Sequence, residues 1–102
     1  MELRIVERYN LLGILPLEGD FTTLKIVREL RESLSFSEEE HKNHNFRQEG
    51  TMVLWDNDTG ETKDIQIGEK ASDIIVDALK KLNDDKKLRD EHFTLYEKFV
   101  NK

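Results

Sequence analysis

A short segment near the middle of the chain combines two apolar runs with a polar, glycine-containing turn, whereas apolar residues elsewhere recur every three or four positions. Met52–Trp55 and Ile65–Ile67 are predicted as strands, with side chains on alternate faces. Asp56–Gly60 between them has the composition of a tight turn. The sequence therefore predicts an α+β fold: a mostly helical single domain over 1–102, with one β-hairpin inserted between N-terminal and C-terminal helices.

Apolar residues at helical spacing predict four main helices and one short helix. The predicted ranges are 3–15, 21–34, 38 to about 43, 69–82, and a last helix that ends near residue 100. Pro16 should end the first helix, because proline disfavours a helical residue before it. A side-chain oxygen of Asp20 or Thr22 can cap the second helix. Ser37 and Glu40 match a capping box, which predicts the start of the short helix.

The second helix is predicted to have one buried face and one charged face. Its predicted buried row consists of Leu24, Ile26, Val27, Leu30 and Leu34. On the charged face, Lys25, Arg28 and Arg31 lie at spacings of three and form a basic stripe. Lys25 with Glu29, and Arg28 with Glu32, stand four residues apart, which favours ion pairs along the helix.

Composition disfavours several classes of protein. The 102 residues carry 16 Lys and Arg against 22 Asp and Glu, a net charge of −6 that repels the phosphates of duplex DNA. No apolar run approaches the roughly 18–20 residues that span a bilayer, and the charged N-terminus lacks the apolar stretch of a signal peptide. The absence of cysteine removes disulfides and thiolate chemistry. We expect a soluble, cytoplasmic protein with no membrane contact.

The nearest approach to a metal motif is Glu38, His41 and His44, which helical spacing could place on one face. A tight zinc site needs three or four ligands, and the third histidine, His92, lies far along the chain. A solvated acidic helix start is the better interpretation. The glycines are isolated and the serines have no nucleophile context, so the sequence predicts no catalytic residue, no cofactor and no enzymatic activity.

The order of helix, helix, short helix and hairpin is also that of a winged-helix DNA-binding domain. In that alternative, Lys25, Arg28 and Arg31 would contact phosphates. Glu29 and Glu32 interleave with this stripe, however, and the third helix begins with three glutamates, which the phosphates would repel. A winged-helix-like DNA-binding regulator therefore stays the alternative function.

Several segments resemble small proteins of bacteriophages and prophages to which no function is assigned. These segments are Leu11–Phe21, Thr23–Leu30, Gly68–Ala71, Asp73–Ile75 and Leu95–Phe99. The resemblance spans nearly the whole chain and contains no catalytic signature, so it transfers no functional residue. It implies an origin in a phage or an integrated element and expression in a bacterial cytosol.

The leading hypothesis is a non-enzymatic protein-interaction module. Apolar residues make up only 36% of the chain, which predicts a sparse core and favours burial of some surface against a protein partner or in a homo-oligomer. Trp55, Phe36 and Phe46 are the candidate interface aromatics, because aromatic side chains carry much of the energy of interfaces.

Overall fold

Helical periodicity accounts for most of the backbone. The structure is a computed structural model that describes residues 1–101. Within this range the helices are α1 (Ile5–Ile14), α2 (Phe21–Leu34), α3 (Glu38–His44), α4 (Glu69–Asp84) and α5 (Phe93–Phe99), with a 3₁₀ turn at Asp90–His92. The strands are β1 (Glu2–Arg4), β2 (Arg47–Glu49), β3 (Met52–Leu54) and β4 (Thr62–Asp64). A helical share of 56% confirms the predicted α+β, mostly helical class.

Two helix starts form as their caps predict. The Asp20 carboxylate accepts a hydrogen bond of 2.7 Å from the Thr23 N–H at the start of α2. At α3, the Glu40 N–H donates to the Ser37 hydroxyl at 3.1 Å, and the Ser37 N–H donates to the Glu40 carboxylate at 3.0 Å. These bonds supply partners to backbone N–H groups that the first turn of a helix leaves open.

The N-terminal segment differs from the predicted helix over 3–15. Its first residues form β1, which pairs antiparallel with β4 and places Leu3 opposite Lys63. The terminal amino group of Met1 extends this contact through a 2.8 Å hydrogen bond to Asp64. An extended segment gains such bonds only where a second strand edge lies close in space. Apolar spacing within residues 1–15 carries no information about that edge.

The hairpin lies between α3 and α4, as predicted, but its strands pair differently. β3 pairs with β2, and Glu49 stands opposite Met52 across a two-residue loop. Gly50 in this loop has a φ of 63°, a conformation that glycine adopts without steric cost and that tight hairpin turns require. The predicted partner of Met52–Trp55 was therefore wrong.

The second predicted strand, Ile65–Ile67, is also displaced. The strand forms three residues earlier as β4, and it joins β1 instead of β3. The chain does turn where predicted, since the Gly60 N–H donates to the Asp58 carboxylate at 3.0 Å. This turn redirects the chain from one sheet to another, so Ile65 follows β4 into the core.

The core lies between α1, α2, α4 and α5. Its buried apolar side chains are Leu3, Leu11, Leu15, Val27, Leu30, Leu34, Ile65, Ile75, Leu79, Leu95 and Phe99. Leu24 was predicted in the same buried row but is 39% exposed, because it lies on the side of α2 that forms an open groove. Within residues 1–101, every helix is too short or too polar to cross a membrane.

A buried arginine joins α1 to the end of α2 and to α3. The guanidinium of Arg8 donates to the Leu34 carbonyl at 3.3 Å and to the Ser35 carbonyl at 2.7 Å. Two further bonds, of 2.5 and 3.2 Å, run to the two carboxylate oxygens of Glu40. The same guanidinium lies 4.2 Å from the ring centre of Phe36. These partners offset the cost of removing the guanidinium from water.

Two carboxylates, Glu40 and Glu7, are held ionised by the hydrogen bonds that they accept and by nearby cations. Burial acts to raise the pKa of Glu40, but hydrogen bonds from Arg8 and the Ser37 N–H, with the charges of Arg8 and Lys63, lower it to about 2. Glu7 is 1% exposed, and burial likewise acts to raise its pKa. Hydrogen bonds from the Arg4 N–H and from Lys98 outweigh that effect and lower the pKa of Glu7.

Candidate interaction surface on helix α2

The link between α1 and α2 leaves large apolar side chains in solvent. Pro16 follows the end of α1, and the short linker then runs to the Asp20 cap of α2. Leu17 in this linker is 84% exposed, and Phe21, the first residue of α2, is 83% exposed. Contiguous apolar surface on a folded domain is a common mark of an interaction site.

These side chains line an open groove along one side of α2. The groove has a volume of about 660 Å³, and its apolar lining is Pro16, Leu17, Phe21, Leu24 and Val27. Phe21 and Leu24 stand three residues apart, so they share the groove side of the helix, whereas Leu30 and Leu34 face the core. We call this surface the α2 groove.

The basic stripe predicted from the sequence lies in the same groove. Lys25, Arg28 and Arg31 all contribute to its lining, together with one carboxylate, Glu32. None of the three cations has a carboxylate within 4.0 Å anywhere in residues 1–101. The predicted ion pairs of Lys25 and Arg28 with the glutamates four residues on are therefore absent from the described part of the chain. The groove thus combines apolar side chains with cations that have no carboxylate partner in the described part of the chain.

The three candidate interface aromatics lie in another part of the molecule. The rings of Phe36 and Phe46 are 4.6 Å apart, and Trp55 lies 5.9 Å from Phe46 and 6.1 Å from Tyr9. Phe36, Phe46 and Trp55 are each half-buried. Their mutual packing joins the segments on either side of α3 and the segment after β3 to Tyr9 of α1, so they serve the fold. Their part in an interface stays a prediction.

The histidines of the candidate metal motif have separate environments. His41 is exposed, and its ring lies edge-on to Phe36 and Phe46 at 6.5 and 5.2 Å. His44 is buried, with its Nδ1 atom 2.9 Å from the Asp56 carbonyl and its Nε2 atom 3.5 Å from Glu61. In the described residues, no group of three or more histidine or acidic side chains is placed to hold a metal ion.

A second, polar cavity of about 310 Å³ lies beside the buried arginine. Its lining includes Arg8, Glu40, His44 and Lys63. Glu40 accepts from Arg8 and lies 3.7 Å from the Lys63 ammonium group. Arg8, Glu40 and Lys63 therefore form an ion-pair network beside this cavity, and the network serves the fold.

Leu17, Phe21 and the buried Arg8 were not predicted as site residues. A signal for the first two exists, because Leu17, Phe21 and Leu24 recur at spacings of four and three and form a second apolar row. Arg8 stands three residues after Ile5 and three before Leu11, which places it on the buried face of α1. The partners of Arg8 come from other elements, so sequence spacing could not identify them.

Comparisons with protein-family models, with curated proteins and with solved structures found no match. The function is therefore inferred from the geometry of the molecule itself. The α2 groove brings the predicted site residues Lys25, Arg28 and Arg31 together with exposed apolar side chains.

Proposed function

We propose that this chain is a non-enzymatic protein-interaction module that binds another protein through the α2 groove. The observation that carries the proposal is the exposure of Leu17 and Phe21, each more than four-fifths accessible to solvent. Full burial of one such side chain in an interface contributes roughly 1.5–3 kcal/mol. Two of them side by side, rimmed by charged residues, match the usual arrangement of an apolar centre within a polar rim.

The position of the groove also supports binding. Its floor belongs to α2, whose opposite face is anchored in the core by Leu30 and Leu34. A rigid helix holds the groove side chains in a defined geometry, and preorganisation of this kind lowers the entropic cost of association.

The buried ionisable groups support the non-enzymatic part of the proposal. Arg8 joins α1 to Glu40 of α3, and Glu7 of α1 accepts a hydrogen bond from Lys98 of α5, so these groups act in folding. The origin in a bacteriophage or prophage and the cytoplasmic location stay predictions of the sequence resemblance.

Site-specific cross-linking tests the proposal, because a single introduced thiol is unique in a chain without cysteine. A photo-cross-linker is attached at Lys25→Cys in the groove and, as the matched control, at Lys80→Cys on the exposed face of α4. In a lysate of the organism that encodes the chain, we expect a defined protein to be cross-linked at position 25 and not at position 80.

A groove variant makes this result specific. Leu17→Ser with Phe21→Ser in the Lys25→Cys background should abolish the cross-link, because it removes the exposed apolar centre. Phe93→Ser is the matched control, since Phe93 is also the first residue of a helix and is 61% exposed outside the groove. A cross-link that persists in the Leu17→Ser, Phe21→Ser variant would contradict the proposal.

A further inference from the structure

We propose that the occupant of the α2 groove is an amphipathic helical segment with carboxylates along its polar face. This inference rests on the proposed function and adds the chemistry of the partner. It follows from three properties of the groove. These are its shape along a helix, its apolar row, and its three cations without a carboxylate partner in residues 1–101.

The shape favours a helix over an extended strand. A strand binds by adding hydrogen bonds to an open sheet edge, and the groove is lined by a helix and its preceding linker, which offer no such edge. α2 has 14 residues, which at 1.5 Å per residue make a surface about 21 Å long. Four turns of a partner helix have a similar length and can pack side by side with it.

The apolar row sets the pattern of the partner. Phe21 and Leu24 stand three residues apart on α2, and Leu17 in the preceding linker lines the same groove, so a partner helix that covers them needs an apolar face with apolar residues every three or four positions. The row occupies the N-terminal half of the groove. Arg28 and Arg31 occupy its C-terminal half.

The cations of the groove favour a partner whose polar face is negatively charged. Lys25, Arg28 and Arg31 have no carboxylate within 4.0 Å in residues 1–101, although the whole chain carries a net charge of −6. Three cations without a carboxylate partner in residues 1–101 attract carboxylates to the apolar row, because complementary charge raises the association rate and excludes wrong partners. A second copy of this chain that docked through its own α2 groove would bring the same three cations to the interface. Duplex DNA would leave Leu17 and Phe21 without an apolar contact.

A displayed library of helix-forming 16-residue peptides tests the inference. The library is randomised at apolar and charged positions and selected on the immobilised full chain, with counter-selection on the Leu17→Ser, Phe21→Ser variant. We expect the enriched peptides to carry Leu, Phe or Met at spacings of three and four and a net negative charge.

The affinity of one enriched peptide then measures the contribution of the cations. Arg28→Glu should weaken binding more than about tenfold, because it places like charges together. Lys80→Glu, a charge reversal on α4 outside the groove, should leave the affinity unchanged. Raising the salt from 50 to 300 mM should weaken binding to the unmodified chain and have little effect on binding to Arg28→Glu.

The outcomes separate this inference from the proposed function. Enriched peptides that need Phe21 but are neutral or basic would overturn the acidic partner and leave the groove as a docking site. A selection in which no peptide depends on Phe21 would overturn the proposed function as well.

Two further results would identify a different occupant of the groove. Dimerisation in light scattering that Phe21→Ser abolishes would identify a second copy as the occupant. Binding to a 20-base-pair duplex at low salt that Arg28→Glu abolishes would identify DNA and restore the winged-helix alternative. Either result would overturn the inference.

Discussion

The buried contact between Arg8 and Glu40 and the exposed α2 groove differ in burial and in whether their charged groups have partners within the fold. Arg8 is 1% exposed and has carboxylate, carbonyl and aromatic partners from three segments. In the groove, Phe21 is 83% exposed, and Arg28 lacks a carboxylate partner among residues 1–101. The first region has every interaction completed within the fold, whereas the second has interactions that another molecule could complete.

This difference indicates which residues stabilise the chain and which are available for binding. A buried charge with all its partners is costly to disturb, because removal of one partner leaves the others desolvated and unpaired. Exposed side chains already contact water, so their replacement changes the free energy of unfolding little. Variants in the two regions should therefore differ strongly in stability.

Arg8→Met should lower the free energy of unfolding by about 3–5 kcal/mol, because it removes the guanidinium that donates to the Glu40 carboxylate and to the Leu34 and Ser35 carbonyls. Urea denaturation followed by circular dichroism measures the change. Arg28→Met is the matched control and should stay within about 0.5 kcal/mol of the unmodified chain. If Arg8→Met were as mild as Arg28→Met, the buried contact would not stabilise the fold.

Stability should fall in acid through protonation of Glu40. Its pKa of about 2 in the folded chain lies below its ordinary value of 4.5, so its contribution is complete above about pH 4.5 and is lost as the pH falls through about 2. The difference corresponds to about 3 kcal/mol.

Glu40→Gln should flatten the decrease in stability between pH 5 and 2, measured by urea denaturation at each pH. The lowered pKa values of Glu7 and Asp58 act in the same direction and should leave a residual decrease. Equal slopes for the two proteins would contradict the assignment.

Lys98→Met should destabilise the chain by about 1–3 kcal/mol, because it leaves the buried Glu7 carboxylate with one donor fewer. The Lys98 ammonium group donates to Glu7 at 2.7 Å and to the Glu2 carbonyl at 2.9 Å, which joins α5 to the N-terminal segment. Lys80→Met on the exposed face of α4 is the matched control. Thermal unfolding of both variants gives the comparison, and equal melting temperatures would show that the Lys98 contact is not stabilising.

Phe21→Ala should change the free energy of unfolding by no more than about 0.5 kcal/mol, since its side chain has little contact to lose. Leu30→Ala, on the buried face of the same helix, should cost about 2–5 kcal/mol. Urea denaturation of the two variants measures both values. A large loss in Phe21→Ala would show that this side chain packs within the fold and is not available to a partner.

Much of the local structure could be predicted from residue spacing. The starts of α2 and α3 follow from the Asp20 cap and from the Ser37–Glu40 capping box. The basic residues predicted for the candidate site do line one groove, because Lys25, Arg28 and Arg31 are spaced by three residues and so share one face of α2. Their apolar neighbours were missed, since Leu24 was assigned to the buried row.

The pairing of the strands could not be predicted in the same way. Met52–Leu54 and Thr62–Asp64 are both compatible with several partners, because any short strand offers unpaired N–H and carbonyl groups along its edges. The turn at Asp58–Gly60 indicates where the chain reverses but not which edge it meets afterwards. That choice depends on where α1 places β1.

The sequence alone determined that α2 and α3 begin at their Asp20 and Ser37 caps and that the basic side chains of α2 share one face. Caps and periodicity join residues a few positions apart, so neighbouring side chains contain the information. The tertiary structure decided that β4 pairs with β1, that Arg8 meets Glu40, and that the row beginning at Leu17 stays uncovered. Each of these results depends on segments far apart in the chain, whose approach follows from packing of the whole core.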